Sequence, residues 1–140
     1  MCEEEPLLPP HRCPRLIGFS DHLDIARLVR EIDLKVDLLW SVGEANPFNP
    51  RWSSYNGFAI YIVGRASEYW RQVNELYDDL CDLHLELNYV RNHGVELTAQ
   101  LYPAGMETEG ESDQLFLEPP LMGMLAGLGI SLELLKPADD

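Results

Sequence analysis

Residues 74–87 read NELYDDLCDLHLEL, and the choice between helix and strand over this stretch decides the fold. Leu83, Leu85 and Leu87 alternate, so HLELNYV could pair with VELTAQLY, 95–102, in a hairpin around Asn92-His93-Gly94. At about 100° per residue, however, Glu75, Asp78, Asp79, Asp82 and Glu86 gather on one side of a helix. Trp70, Val73, Leu76, Tyr77, Leu80, Leu83 and Leu87 collect in an arc centred about 140° from Glu75 by the same count. Two faces of opposite character appear together, which a strand register does not give. The spacing predicts a helix from 67 to about 91.

The other elements follow outward from it. LIGFS, 16–20, reads as a strand, and SDHLDIARLVREIDL as a helix capped by Ser20 or Asp24. KVDLLWSV, 35–42, is a second strand, and GEANPFNPRWSSYNG, 43–57, a long irregular connection rich in Gly, Asn, Pro and Ser. FAIYIVG restarts as a strand without a charged position, which predicts burial on both faces. Beyond Gly94, VELTAQLY places Val95, Leu97, Ala99 and Leu101 inward against Glu96, Thr98, Gln100 and Tyr102, the pattern of a half-buried strand. QLFLE, 114–118, is a further strand candidate. PPLMGMLAGLG forms a short Pro-led helix closed by Gly129, and ISLELLK, 130–136, is the last strand. The order β-α-β-β-α-β-β-α-β predicts one α+β domain over 14–137, a mainly antiparallel sheet with helices on one face. A ferredoxin-like β-α-β-β-α-β core with an added strand and short helix is the expected arrangement, preceded by a flexible leader, 1–13, and followed by an acidic tail, 138–140.

The 140 residues carry 24 Asp and Glu against 10 Lys and Arg, a formal net charge of -14. Nine of the acids, Glu3, Glu4, Glu5, Glu107, Glu109, Glu111, Asp113, Asp139 and Asp140, lie in the leader, a Gly-containing loop and the tail. Their ordinary role is solubility. An acidic surface disfavours nucleic acid and anionic membranes, which are negative themselves, and favours a basic protein partner. Cys2, Cys13 and Cys81 are an odd number without C-x-x-C spacing, the usage of reduced thiols in a cytoplasmic protein. The N-terminus has acids where a signal peptide needs cations, and no run approaches the roughly 18 apolar residues of a membrane span.

No constellation for catalysis appears: G-x-S-x-G, H-E-x-x-H, G-x-x-x-x-G-K-[ST] and a G-x-G-x-x-G after a strand are all missing. The histidines are scattered at 11, 22, 84 and 93, and His84 falls on the apolar arc of the long helix as a core residue. A non-enzyme without catalytic, cofactor or metal residues is expected. The binding candidates are of two kinds. One is the acid stripe of Glu75, Asp78, Asp79, Asp82 and Glu86, whose default reading is a solvated face and whose sharper reading is a docking surface for a basic partner. Arg71, one turn before Glu75, relieves only the first of its repulsions. The other is Phe48, Trp52 and Tyr55 in the long connection, either as exposed anchors or as cover for the sheet edge, while Trp40 alternates into the core.

SDHLDIARLVREIDLKVDLLWSVGE, RWSS at 51–54, the long helix, VELTAQLY and FLEPPLMGMLAGLGISLELL together resemble a bacterial family of small domains of unknown function. Shared features are a polar start to the first helix, a W-x-x-G-E turn (Trp40, Gly43, Glu44), a W-S turn (Trp52, Ser53), and a closing Pro-led helix and L-G (Pro119, Leu128, Gly129). The similarity covers about residues 14–136; the acidic 107–113 loop and the proline-rich leader depart from it. The resemblance implies an α+β fold, a bacterial cytoplasm, no established activity and, for some members, immunity to polymorphic toxins. The leading expectation is therefore a non-catalytic, immunity-type inhibitor that neutralises a basic toxin by direct binding. The rivals are a nucleic-acid-mimicking or phage anti-defence protein and a small-ligand-binding domain built around Trp52.

Overall fold

A computed structural model describes residues 14–44, 50–62, 69–101 and 119–135. In chain order they form β1 (Arg15–Ser20), α1 (Ile25–Glu31), β2 (Leu38–Trp40), a 3-10 turn (Pro50–Ser54), β3 (Asn56–Tyr61), α2 (Tyr69–Asn92), β4 (Glu96–Leu101), α3 (Pro119–Leu128) and β5 (Ile130–Leu134). The expected leader, Phe48, the 107–113 loop, the 114–118 strand and the acidic tail lie outside the described residues. Asp24 is the cap of α1, its Oδ1 accepting the Arg27 N–H at 3.2 Å. Ser20 shapes the bend before it, its Oγ accepting from the N–H groups of His22 and Leu23.

The strands lie in the order β2-β3-β1-β4-β5. β2 with β3, β3 with β1 and β1 with β4 run antiparallel, whereas β4 and β5 are parallel. The domain is thus α+β with a five-stranded mixed sheet, and the parallel pair needs the crossover that contains α3.

Strand alternation divides the core in two. Leu16, Phe58, Leu97, Ala99 and Leu101 meet Ile25, Leu28 and Val29 of α1, Leu76, Leu80, Leu87 and Val90 of α2, and Leu121, Leu125 and Leu128 of α3. On the opposite face, Ile17, Ala59 and Trp40 join Trp52 of the turn, with Phe19, Leu38 and Tyr55 packed around them. All three helices contribute to the first cluster and none to the second.

Two expectations change here. β4 is not half-buried: Thr98 is 7% exposed and Gln100 2%, because β4 is flanked by two strands and a second layer lies on its helix-free face. The buried arc of α2 is also rotated. Gln72, Val73, Leu76, Leu80, Leu87 and Val90 are buried, which centres the arc about 100° from Glu75 rather than 140°. Packing against β4 and α3 sets that rotation. His84 is consequently exposed, not a core histidine, and Leu85 is 72% exposed. Glu75, Asp79 and Glu86 move to the rim of the packed face and are half-buried. Among the described residues no helix is long and apolar enough to cross a membrane.

Candidate functional site

The helix-free face of the sheet is closed by the 3-10 turn, and side chains and backbone from both ends of the long connection hold that turn down. Trp40 at the end of β2 donates its indole N–H to the carbonyl of Trp52 at 2.9 Å. Gly43 takes φ +94, a conformation that costs a residue with a Cβ, and its N–H reaches the Ser53 carbonyl at 2.8 Å. The Ser53 hydroxyl donates to the Glu44 carbonyl, and the Glu44 carboxylate accepts from the Ser41 N–H. Asn56 completes the clamp: its Oδ1 accepts from the Val42 N–H and its Nδ2 donates to the Leu23 carbonyl. The W-x-x-G-E and W-S residues singled out in the sequence are thus the two halves of one clamp.

That clamp presses Trp52 into the sheet until it is 3% exposed. It covers the helix-free face of the sheet, not the sheet edge that the sequence suggested, and its ring is surrounded by Phe19, Tyr55 and the strand residues beneath. Phe19 meets Trp52 edge-on at 5.0 Å and Tyr55 at 4.9 Å, with Trp52 and Tyr55 6.1 Å apart. Tyr55 is half-buried. Beside these rings opens a cleft of about 450 Å³ lined by Phe19, Arg51, Trp52, Ser54, Tyr55, Thr98 and Glu133.

The polar end of the cleft comes from strand register. Arg15 of β1 is opposite Gln100 of β4, which is opposite Glu133 of β5, so three polar side chains form one row across the sheet. Gln100 donates Nε2 to the Glu133 carboxylate at 2.6 Å, and Arg51 reaches both Glu133 oxygens through Nη2 at 2.9 Å. The Arg51 guanidinium also lies over the Trp52 ring, its Cζ 4.3 Å from the centroid. Burial acts to raise the Glu133 pKa. The hydrogen bonds from Gln100 and Arg51, with the charges of Arg51 and Arg15, outweigh it and hold the carboxyl below its usual range. An ionised carboxylate with its hydrogen-bond donors is a binding group, and no nucleophile paired with a base accompanies it among the described lining residues.

The two sets of predicted binding residues are not brought together. Trp52 and Tyr55 lie on the helix-free face, whereas Glu75, Asp78, Asp79, Asp82 and Glu86 ride on α2 in the helical layer. Asp78 and Asp82 are exposed. Lys35, distant in sequence, lines one groove with Asp37, Asp79 and Asp82, so a cation does border the stripe. Arg15, Gln100 and Glu133 escape a reading of the sequence, because a polar residue at an alternate strand position looks solvent-facing until the cover over that face is known, and Arg51 escapes it because its partner Glu133 lies 82 residues away. Among the described residues no group of three or more His, Cys, Asp or Glu is placed to hold a metal ion.

Fold and site together define a class: an α+β domain with helices on one face of a mixed sheet and a clamped aromatic turn on the other. Comparison with known proteins gives no match to a family model, to a curated protein or to a solved structure.

Proposed function

We propose that the protein is a non-catalytic binding protein of the immunity type, which neutralises a basic protein partner in the cytoplasm by docking it on the outer side of α2. The observation that carries this reading is the state of Asp78, Asp82 and Glu86. Asp78 and Asp82 are exposed on consecutive turns, Glu86 half-exposed beyond them, and none is in an ion pair among the described residues. Like charges at i,i+4 repel by a few tenths of a kcal/mol per pair, and a cationic partner relieves that repulsion as it binds. The resemblance to small bacterial domains supports the immunity role, and the acid surface supports fast, salt-dependent association. A ferredoxin-like reading of the core is supported by the β2-β3-β1-β4 order with antiparallel pairing throughout, to which α3 and β5 are an addition.

The test is affinity capture from the native host with the wild type and with Asp78→Lys/Asp82→Lys/Glu86→Lys, followed by binding measurements on the purified protein recovered. A basic partner whose affinity falls at least tenfold with the triple reversal, and falls with added salt, supports the proposal. A partner bound equally by both removes α2 from the account. A second reading, a small-ligand-binding domain, is favoured by the cleft at Trp52, whose volume falls in the range of ligand sites. Ligand-induced thermal shifts across a metabolite panel test it.

A further inference from the structure

We infer that the cleft on the helix-free face is a recognition site for a guanidinium group and that Arg51 fills it in cis. This goes beyond the docking surface on α2 and does not depend on it.

Three features carry the inference. First, the walls of the site match one chemical shape. The indole of Trp52 offers a flat face, and the Glu133 carboxylate stands at its edge. A planar cation with in-plane donors satisfies both, and the Arg51 guanidinium does so, 4.3 Å from the ring centroid and 2.9 Å from each carboxylate oxygen. A compact ammonium lacks the plane, and an anion would face the carboxylate.

Second, the acceptor is held in place by a donor other than Arg51: Gln100, 2% exposed, donates Nε2 to the Glu133 carboxylate at 2.6 Å, which fixes its orientation at the end of the cleft. Third, the charge balance makes binding an exchange. Glu133 already pairs with Arg51, and the charge of the buried Arg15, two strands away in the same row, acts on it as well. Arg15 belongs to β1 and stays, so an incoming cation replaces Arg51 and does not join it. Replacement is open to Arg51 because it projects from a surface turn with a side chain 51% exposed, and an ion pair this exposed is weak.

The site therefore takes the guanidinium of a free guanidino compound or of an arginine side chain, with Arg51 as the internal competitor. Binding of N-acetyl-argininamide, N-acetyl-lysinamide and N-acetyl-citrullinamide is measured by calorimetry on the wild type, on Arg51→Ala and on Arg51→Ala/Glu133→Gln. The expected result is at least tenfold tighter binding of the arginine probe to Arg51→Ala than to the wild type. The lysine probe binds more weakly, the citrulline probe does not bind, and Glu133→Gln abolishes the gain. Equal binding of the arginine and citrulline probes, no gain from removing Arg51, or a gain that survives Glu133→Gln overturns the inference. Far-UV circular dichroism checks folding, and if Arg51→Ala does not fold, Arg51→Gln is measured against the same outcomes. Methylguanidine and a Gly-Arg-Gly peptide then separate the sources within a positive result. Similar affinities mark a free guanidino compound, and a tenfold preference for the peptide marks an arginine side chain.

Discussion

Replacing Trp52 with alanine removes the side chain that joins the turn to the sheet. The indole is 3% exposed, it meets Phe19 edge-on and Tyr55 at a tilt, and it packs with Ile17, Ala59 and Trp40. Burying a Trp in a core and then truncating it costs about 3–5 kcal/mol. The aromatic pairs fall within that figure at about 0.5–1.5 kcal/mol each. Because a cleft of about 450 Å³ already adjoins the ring, water can enter the space left behind, which places the effect near the lower end, about 3 kcal/mol. For a domain of this size that lowers Tm by roughly 10 °C. Urea unfolding followed by far-UV circular dichroism reads the free energy, and calorimetry reads Tm. Leu85→Ala, at a position 72% exposed on α2, is the control and stays within about 0.5 kcal/mol of the wild type. A Trp52→Ala loss under about 1 kcal/mol would refute the argument that the turn is an integral layer of the fold.

Three further outcomes follow from the same structure. Asp24→Ala removes the cap that accepts the Arg27 N–H and lowers unfolding free energy by about 1 kcal/mol in urea titrations; no change would show α1 to be held by packing alone. Gly57→Ala places a methyl 2.5 Å from the Trp40 ring and 2.9 Å from the Gly18 carbonyl oxygen, and since backbone cannot step aside the cost is about 1–3 kcal/mol by the same titration. Glu133 has a folded pKa below its ordinary value, so the unfolded chain takes up its proton first as pH falls. Its contribution to stability is fully present above the ordinary glutamate pKa of about 4.3 and fades as pH drops through the lower folded value. The gap in urea midpoint between the wild type and Glu133→Gln should therefore narrow on acidification through that window, and a gap independent of pH would contradict the pairing with Gln100 and Arg51.

The helix over 69–92 is legible because its leucines and carboxylates separate by angle, and the strands because alternation and Gly or Pro punctuation mark them. Rotation of α2 is not legible in the same way. Trp70 and Tyr77 pull the apparent apolar arc outward, and only the positions of β4 and α3 turn it toward Gln72 and Val90. Thr98 and Gln100 look solvent-facing for a similar reason, since alternation says which residues share a face and not whether another layer covers it. Arg51, Trp52 and Ser54, more than 40 positions away, line the cleft with Thr98, and the turn that carries them is held by the Trp40, Gly43, Glu44 and Ser53 bonds. Those residues were visible in the sequence as punctuation, but their joint role needed the register of β2 and β3. The row Arg15-Gln100-Glu133 needed the register of three strands, including one reached by a parallel crossover.

Both the cleft and its contents depend on a closed second layer over the helix-free face, and cysteine accessibility measures that closure. In a background with Cys2, Cys13 and Cys81 changed to Ser, Thr98→Cys puts a thiol at a position 7% exposed in the wall of the cleft beside the turn. Ser131→Cys puts one on the exposed neighbour directly opposite it in β5. The account predicts that the thiol at 98 reacts with a maleimide at least a hundredfold more slowly than the thiol at 131 under native conditions, and that Trp52→Ala erases most of the difference. Equal labelling rates in the folded protein would contradict it.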